Sequence, residues 1–542
     1  MSNKLIKGTA LLTGAAFISK FLGMVYVIPF NELVGAQGGE LYYYAYNPYT
    51  ILIAISTVGI PLAVSKMVSK YNSLGYYDVG FKIFRLSSIL MLITGMIAFL
   101  ILFFGSEWLA TKYAYDTEHG STVADLKLVL QMISFSLIII PAMSVVRGFF
   151  QGYHMMEPTA ISQVVEQIIR IVFVLSGAFV VVKILDKGIV SAVGVATFAA
   201  FLGALASVAV LFYYWVKKKR EMHENVVTQQ KSIYISNKDL ILELLSYAGA
   251  FVIVGIATPL YQAVDSFTFN KAMALGGFGE LTTISLATIN MYGHKLIMIP
   301  VTIAIGLSMA IIPGLTESFT QHNTKKLEKE INQSLQIVLF FVIPAVVGLS
   351  VLSYEAYGAL FGMNQLDVSG NLLMWYAPVA LLFALFTVSA AILQGINEQR
   401  FALVSLSAGF IVKLSLNSML IQQFAGKGSI FGTALAVGTA VVLNLWWIKR
   451  SIIFSYKQTA KRTLFVIIFS GMMALAIVVM KSIFGLFLPY ETSRFAAAVM
   501  LTIGVGVGGI VYLVLAYKST LMEHVLGTMN IMNRFRRKKR AN

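Results

Sequence analysis

Apolar runs about as long as a membrane-crossing helix, roughly 20 residues, recur along the whole chain, separated by short hydrophilic breaks. They predict roughly fourteen transmembrane helices, at 8–30, 44–64, 86–108, 128–146, 159–182, 189–216, 241–270, 282–313, 333–361, 371–393, 401–424, 429–448, 463–488 and 495–517. The first run follows Lys4 and Lys7 as a signal sequence would. It is long and has no convincing small-residue cleavage site, so it reads as a retained helix. The expected fold class is all-α, a polytopic membrane protein.

Composition agrees with that pattern. Of 542 residues 58% are hydrophobic and 12% charged, and the mean hydropathy is +0.79, more apolar surface than one soluble core can hide. The absence of cysteine excludes disulfides and thiolate metal sites, and six scattered histidines have no ligand spacing. No metal and no cofactor is expected. The net charge of +17 would suit nucleic acid, but 29 of the 41 Lys and Arg fall on one side of the alternating breaks and 8 on the other. Basic loops favour the cytoplasmic side, so the charge is read as topological, both termini are expected to be cytoplasmic, and nucleic acid is not expected as a partner. The tail Arg534 to Arg540 either lies against anionic lipid headgroups or is a solvated topology determinant.

The remaining four cations, Lys20, Arg170, Lys295 and Lys413, sit near the middle of apolar runs. A mid-bilayer charge is costly and is kept where it faces a polar cavity or a partner. Two of them are related: Gln151-Gly152 and Gln394-Gly395 lie 243 residues apart, and the same interval carries Arg170 onto Lys413. Gly59 and Gly306 are separated by a similar 247. Two six-helix lobes in parallel repeat are therefore expected: 1–220 and 241–450, joined by a cytoplasmic linker at 221–240. Two further helices follow within 451–520, and then a basic cytoplasmic tail, 521–542.

On the fifth run Ser162, Gln163, Glu166, Gln167 and Arg170 share one helical face. Glu166, one turn before Arg170, either neutralises it within the helix or leaves it to a cavity. Lys413 has Asn417 one turn on and no carboxylate within a turn; Lys295 lies beside His294 and Lys20 beside Ser19. An external anion is a reasonable partner for such cations. Asp265, a mid-run acid, pairs with a cation, binds a coupling ion or relays a proton, pairing being the first expectation. The run Gly504, Gly506, Gly508, Gly509 lacks the strand–turn–helix setting of a nucleotide fingerprint and is read as a small-residue face for close packing or a lipid chain. Carboxylates for an enzyme would have to come from the 106–127 break, with Glu107, Asp116, Glu118 and Asp125. A solvated loop explains those equally well.

The stretch Gly14 to Gly23, with Ser19-Lys20-Phe21-Leu22-Gly23, resembles the first-helix pattern of MurJ-type lipid II flippases and their Gram-positive polysaccharide-export relatives. His294 to Pro300, with Gly306, Ile312-Pro313 and Ser318-Phe319, resembles their eighth helix. The resemblance implies two six-helix lobes around a V-shaped cationic cavity, with the last two helices lining a groove for a polyprenyl tail. By residue match Lys20 and Lys295 stand for essential arginines, and Asp265, Asn417 and Thr433 fall near the family's second-lobe sodium site. Tyr26 stands where Gram-negative-type members have another arginine, and Ile51 to Ile55 carry no cation.

The expected function is a flippase, not an enzyme. It would move undecaprenyl-diphosphate-linked peptidoglycan precursor from the inner to the outer leaflet by alternating access, with membrane potential or Na⁺ as drive. Lys20, Lys295, Arg170, Lys413 and Glu166 would form the substrate site, and Asp265, Asn417 and Thr433 the coupling-ion site. The alternatives are another polyprenyl-linked glycan (capsule, teichoic-acid or spore-wall precursor) and, from a different class, a membrane-embedded glycosyltransferase. Expected partners are the lipid-linked oligosaccharide diphosphate, anionic lipids and cell-wall synthesis proteins, with the chain a monomer in the plasma membrane.

Overall fold

The computed structural model describes residues 2–57, 59–114, 121–229, 233–452 and 455–526. Asp116, Glu118 and the basic tail lie outside these residues. Among the described residues the secondary structure is helical and contains no strand. Ten helices there are long and apolar enough to cross a membrane, or eleven if a pair bent by 43° near Tyr26 is one span. Of the three other expected spans, 44–64 includes the undescribed position 58, while 241–270 and 282–313 are helical, each divided between two helices.

Packing divides the chain into two compact units, 1–291 and 292–542. The first holds α1 (Ser2–Val25), α2 (Val27–Thr57), α3 (Ile60–Ser73), α4 (Tyr77–Tyr113), α5 (Val123–Ser134), α6 (Ser136–Gly152), α7 (Glu157–Phe179), α8 (Ile189–Val227), α9 (Asn237–Gly255), α10 (Ala257–Leu275) and α11 (Thr282–Ala287). Helix α2 is broken at Gly35, whose φ of 60° suits a residue without a Cβ. Helix α3 opens on Gly59-Ile60-Pro61, the proline sitting in the first turn where its missing N–H costs nothing. Thr122 and Asp125 cap α5 reciprocally, and Glu107 pairs with Lys127 at 2.7 Å. The two described carboxylates of the four singled out in that break thus have structural partners.

Tyrosines on α2 tie α10 into this unit. Tyr43 donates to the Gln262 carbonyl (2.6 Å), Tyr44 to Asn270 Oδ1 (2.8 Å), and Asn47 to the Pro259 carbonyl (3.2 Å). Asn270 in turn donates to the Tyr113 carbonyl at the end of α4. Lys70 and Tyr71 of α3 both reach Glu243 of α9, at 2.7 and 3.0 Å.

The second unit holds α12 (Gly293–Thr320), α13 (Thr324–Val351), α14 (Ser353–Phe361), α15 (Leu366–Tyr376), α16 (Val379–Gly395), α17 (Gln399–Phe424), α18 (Gly426–Ile452), α19 (Lys457–Phe484), α20 (Arg494–Lys518) and α21 (Leu521–Leu526). Buried polar groups stitch it together. Asn444 of α18 accepts from Ser405 of α17 and donates to Ser389 of α16. Lys481 of α19 pairs with the fully buried Glu355 of α14 at 2.6 Å, and Arg494 of α20 donates to the last carbonyls of α14.

Equivalent glycines make equivalent contacts inside each unit. A Cβ on Gly152, at the end of α6, would meet Val68 of α3 at 2.7 Å; one on Gly395, at the end of α16, would meet Leu315 of α12 at the same distance. Val68 and Leu315 are 247 residues apart, the interval already seen between Gly59 and Gly306.

Candidate functional site

The polar face expected on the fifth run is the face of α7, and three helices pack onto it. Its apolar side is lipid-like in composition, with Ile168, Val172 and Phe173 exposed. From the other side α1 approaches: Ser19 donates to the Gln163 carbonyl at 3.3 Å, and a Cβ on Gly23 would meet the Gln167 amide. Lys20 follows Ser19 on this helix and is exposed.

Glu166 and Arg170 form the in-helix salt bridge, Oε1 to Nη2 at 2.8 Å. The second carboxylate oxygen is taken by Arg147 of α6, also at 2.8 Å. Arg147 further donates to Ser162 Oγ (2.9 Å) and to Ser207 Oγ of α8 (2.7 Å). One carboxylate is thus held between two guanidiniums, all three side chains less than a fifth exposed, and the cluster keeps a formal charge of +1. Among the described residues, Arg170 Nε is buried without a hydrogen-bond partner. Arg147 was placed by sequence in the hydrophilic break 147–158. The signal that would have found it is that only Gly148, an isolated glycine a helix tolerates, stands between Pro141 and Gly152, so the helix carries Arg147 inward of that break.

In the second unit Lys413 of α17 is 1% exposed and donates to Thr433 Oγ1 of α18 at 2.8 Å. Thr433 itself donates to the Ser429 carbonyl at 2.9 Å. Asn417, fully buried one turn on, faces Gly432, where a Cβ would meet its Oδ1 at 2.6 Å. Thr433, expected near a coupling ion, therefore accepts from a lysine ammonium, and Asn417 lies one turn along α17. Asp265 is buried in α10 of the first unit, beside Ser266, which donates to the Tyr43 hydroxyl. Lys295 is half-buried near the start of α12, next to His294, whose Nδ1 hydrogen-bonds the Tyr376 hydroxyl at 2.8 Å. Tyr26 is buried at the bend between α1 and α2, its hydroxyl shared with Tyr42 at 2.8 Å. Among the described residues no group of three or more His, Cys, Asp or Glu is arranged to hold a metal ion.

Helices α12, α13, α19 and α20 line an open apolar cavity of about 440 Å³. Pro300, Phe341, Pro344, Met473 and Val505 line it, as do Gly504, Gly508 and Gly509. The glycine run is divided between packing and open space. Gly504 and Gly508 are close-packed against Leu352 and Ile477, whereas nothing lies within 4 Å of a Cβ on Gly506 or Gly509.

Known proteins match the chain over its length. The family model described as "Polysaccharide biosynthesis protein" matches residues 5–319, and the MatE model residues 271–419. The lipid II flippase MurJ of Bacillus subtilis (strain 168) is 44% identical over 97% of both chains. Among solved structures, a lipid II flippase MurJ in an inward closed conformation superposes with a TM-score of 0.68 at 16% identity, over 95% of this chain and 99% of that one. A multidrug resistance MATE family transporter in an inward-facing conformation gives 0.66 at 16% identity, over 79% and 94%. These relatives are transporters rather than enzymes, and they share the all-helical, multi-pass membrane fold. By its identity to the Bacillus protein along nearly the entire sequence, the chain belongs to the MurJ family of lipid II flippases.

Proposed function

We propose that the protein translocates lipid II, the undecaprenyl-diphosphate-linked peptidoglycan precursor, from the inner to the outer leaflet of the plasma membrane by alternating access. The observation that carries this reading is the 44% identity to a lipid II flippase over 97% of both chains. Geometry supports it on two counts. Cations are held within the helices, as a diphosphate requires, and the cavity between α13, α19 and α20 is almost wholly apolar, as a polyprenyl chain requires.

In this reading Lys20 and Lys295 bind the diphosphate, with Arg170 and Lys413 completing the cationic lining and Glu166 orienting Arg170. The repeat-related lobes, 1–220 and 241–450, rock about the 221–240 linker, and both termini are cytoplasmic. An inside-negative potential favours outward movement of a dianion by about 4–5 kcal/mol per 100 mV, provided the protein's own cations stay in place. Asp265 belongs to the resetting step, through an ion or through pairing with a cation. Anionic lipids hold the basic tail, and the chain acts as a monomer beside cell-wall synthesis proteins.

The test is complementation of a bacterium depleted of its lipid II flippase, with outer-leaflet lipid II assayed and expression checked. Wild type is expected to rescue, and Lys20→Ala and Lys295→Ala to fail despite normal levels. Failure of well-expressed wild type would move the substrate to another polyprenyl-linked glycan. Rescue by both variants would remove the cationic mechanism.

A further inference from the structure

At the end of the second unit where α13 and α19 begin, a polar cavity of about 480 Å³ lies between those helices and α21, a volume typical of small-ligand sites. Its floor is prebuilt. Thr459 donates to Asn332 Oδ1 at 2.7 Å, and Gln336, nearly fully buried, lies beside it. Arg462 Nη1 donates to Gln336 Oε1 and to the His524 carbonyl, the latter at 2.9 Å. That fixes the guanidinium plane, and among the described residues Nε and Nη2 have no acceptor. Lys325, Lys329 and Lys457 stand on the rim, none of them ion-paired among the described residues, against a single lining carboxylate, Glu328. A cavity with four cations and one anion, and with an immobilised guanidinium at its base, is matched to a phosphate.

Two further observations say what carries that phosphate. The cavity lies where α19 changes character: Leu464, Phe465, Ile467 and Ile468, immediately after Arg462, are large apolar residues exposed to the surroundings. One turn beyond Gln336, the same α13 contributes Phe340, Phe341 and Pro344 to the apolar cavity it shares with α19 and α20. A ligand with its phosphate on Arg462 and the rim lysines therefore has hydrocarbon-compatible surface starting about 6 Å away along the helix. A free anion would make no use of it. We infer that this cavity is a binding site for the phosphate headgroup of an anionic membrane lipid, separate from the cations assigned to transport.

The test uses the full-length protein in detergent, titrated with phosphatidylglycerol and followed by native mass spectrometry, with phosphatidylcholine and inorganic phosphate as controls. Replacing Lys325, Lys329 and Lys457 together by Gln is expected to weaken phosphatidylglycerol binding by about tenfold or more, since each basic residue near an anionic headgroup contributes on the order of a fivefold factor. The matching triple replacement by Arg should restore it. These rim positions are exposed, so the variants fold independently of the result. Three outcomes would overturn the assignment: equal affinity of wild type and the Gln variant, phosphatidylcholine binding as tightly as phosphatidylglycerol, or displacement of the lipid by millimolar inorganic phosphate. None of these readouts depends on transport, so the site stands or falls separately from the flippase reading.

Discussion

The α7–α8 pair of the first unit and the α17–α18 pair of the second carry their cations, Arg170 and Lys413, at repeat-related positions, yet they accommodate them differently. In both, a glycine of the second helix lets it close on a polar stripe of the first. Gly203 abuts the Glu166 carbonyl and Arg170 Cβ, and Gly432 abuts the Asn417 amide. In the first unit a carboxylate stands one turn before the cation and is shared with a second arginine from α6. In the second unit the position 243 residues after Glu166 is Gly409. Lys413 has no carboxylate within a turn of its own helix and donates to a hydroxyl on α18. The first arrangement spends its charge mainly on holding three helices together. The second buries an ammonium that reaches a hydroxyl on the neighbouring helix, so its charge is not shared with a carboxylate of its own helix.

If that difference is real, removing Glu166 should have the largest effect on stability. Glu166→Ala leaves Arg147 and Arg170 mostly buried with their common counter-ion gone. Breaking such a pair costs about 3–5 kcal/mol, so thermal unfolding in detergent should show a clear loss, with Glu166→Gln close behind. A variant as stable as wild type would mean that solvent already screens the arginines. Arg147→Ala should follow at about 2–3 kcal/mol, because the Glu166–Arg170 pair survives while Ser162 and Ser207 lose their partner. Arg147→Lys should recover only part of this, since an ammonium cannot span Glu166, Ser162 and Ser207 in the geometry of a guanidinium.

Lys413→Met is predicted to reverse the order of stability and function. Methionine fills much of the same volume and needs no hydrogen bond, so the unfolding temperature should shift little, on the order of 1 kcal/mol or less. Complementation should nevertheless be lost if the buried charge is functional. Full rescue by a stable Lys413→Met would reduce the lysine to a packing residue and erase the contrast with Arg170.

Much of this was legible in the sequence for a physical reason: helical periodicity and bilayer thickness act on single segments. The apolar runs, the polar face of α7, the Glu166–Arg170 spacing and the glycine interval are all properties of one helix or of its repeat. What meets a polar face is decided between helices, and no spacing encodes it. Arg147 was read by its charge as part of a break, although nothing before Gly152 ends the helix. Ser207 carries no signature at all on α8, and the binding of α10 by Tyr43, Tyr44 and Asn47 of α2 spans more than 200 residues. Thr433 was matched to an ion site by resemblance alone, and its contact with Lys413 Nζ, made between α17 and α18, is one that no spacing within a helix encodes.

Thr433→Val gives the smallest effect and the finest discrimination. It keeps the shape of the side chain and removes the oxygen that accepts from Lys413 Nζ and donates to the Ser429 carbonyl. A single interhelical hydrogen bond in a membrane protein contributes about 0.6 kcal/mol and rarely above 1.7, so a modest fall in unfolding temperature is expected. In the Lys413→Met background the same change should cost less, because the ammonium that used the oxygen is gone; the double-mutant cycle isolates that coupling. A coupling near zero would show that Lys413 is held by other groups and that the Thr433 bond is incidental. A coupling near the single-mutant loss would make α18 the helix that positions the buried cation, as α6 and α7 do for Arg170.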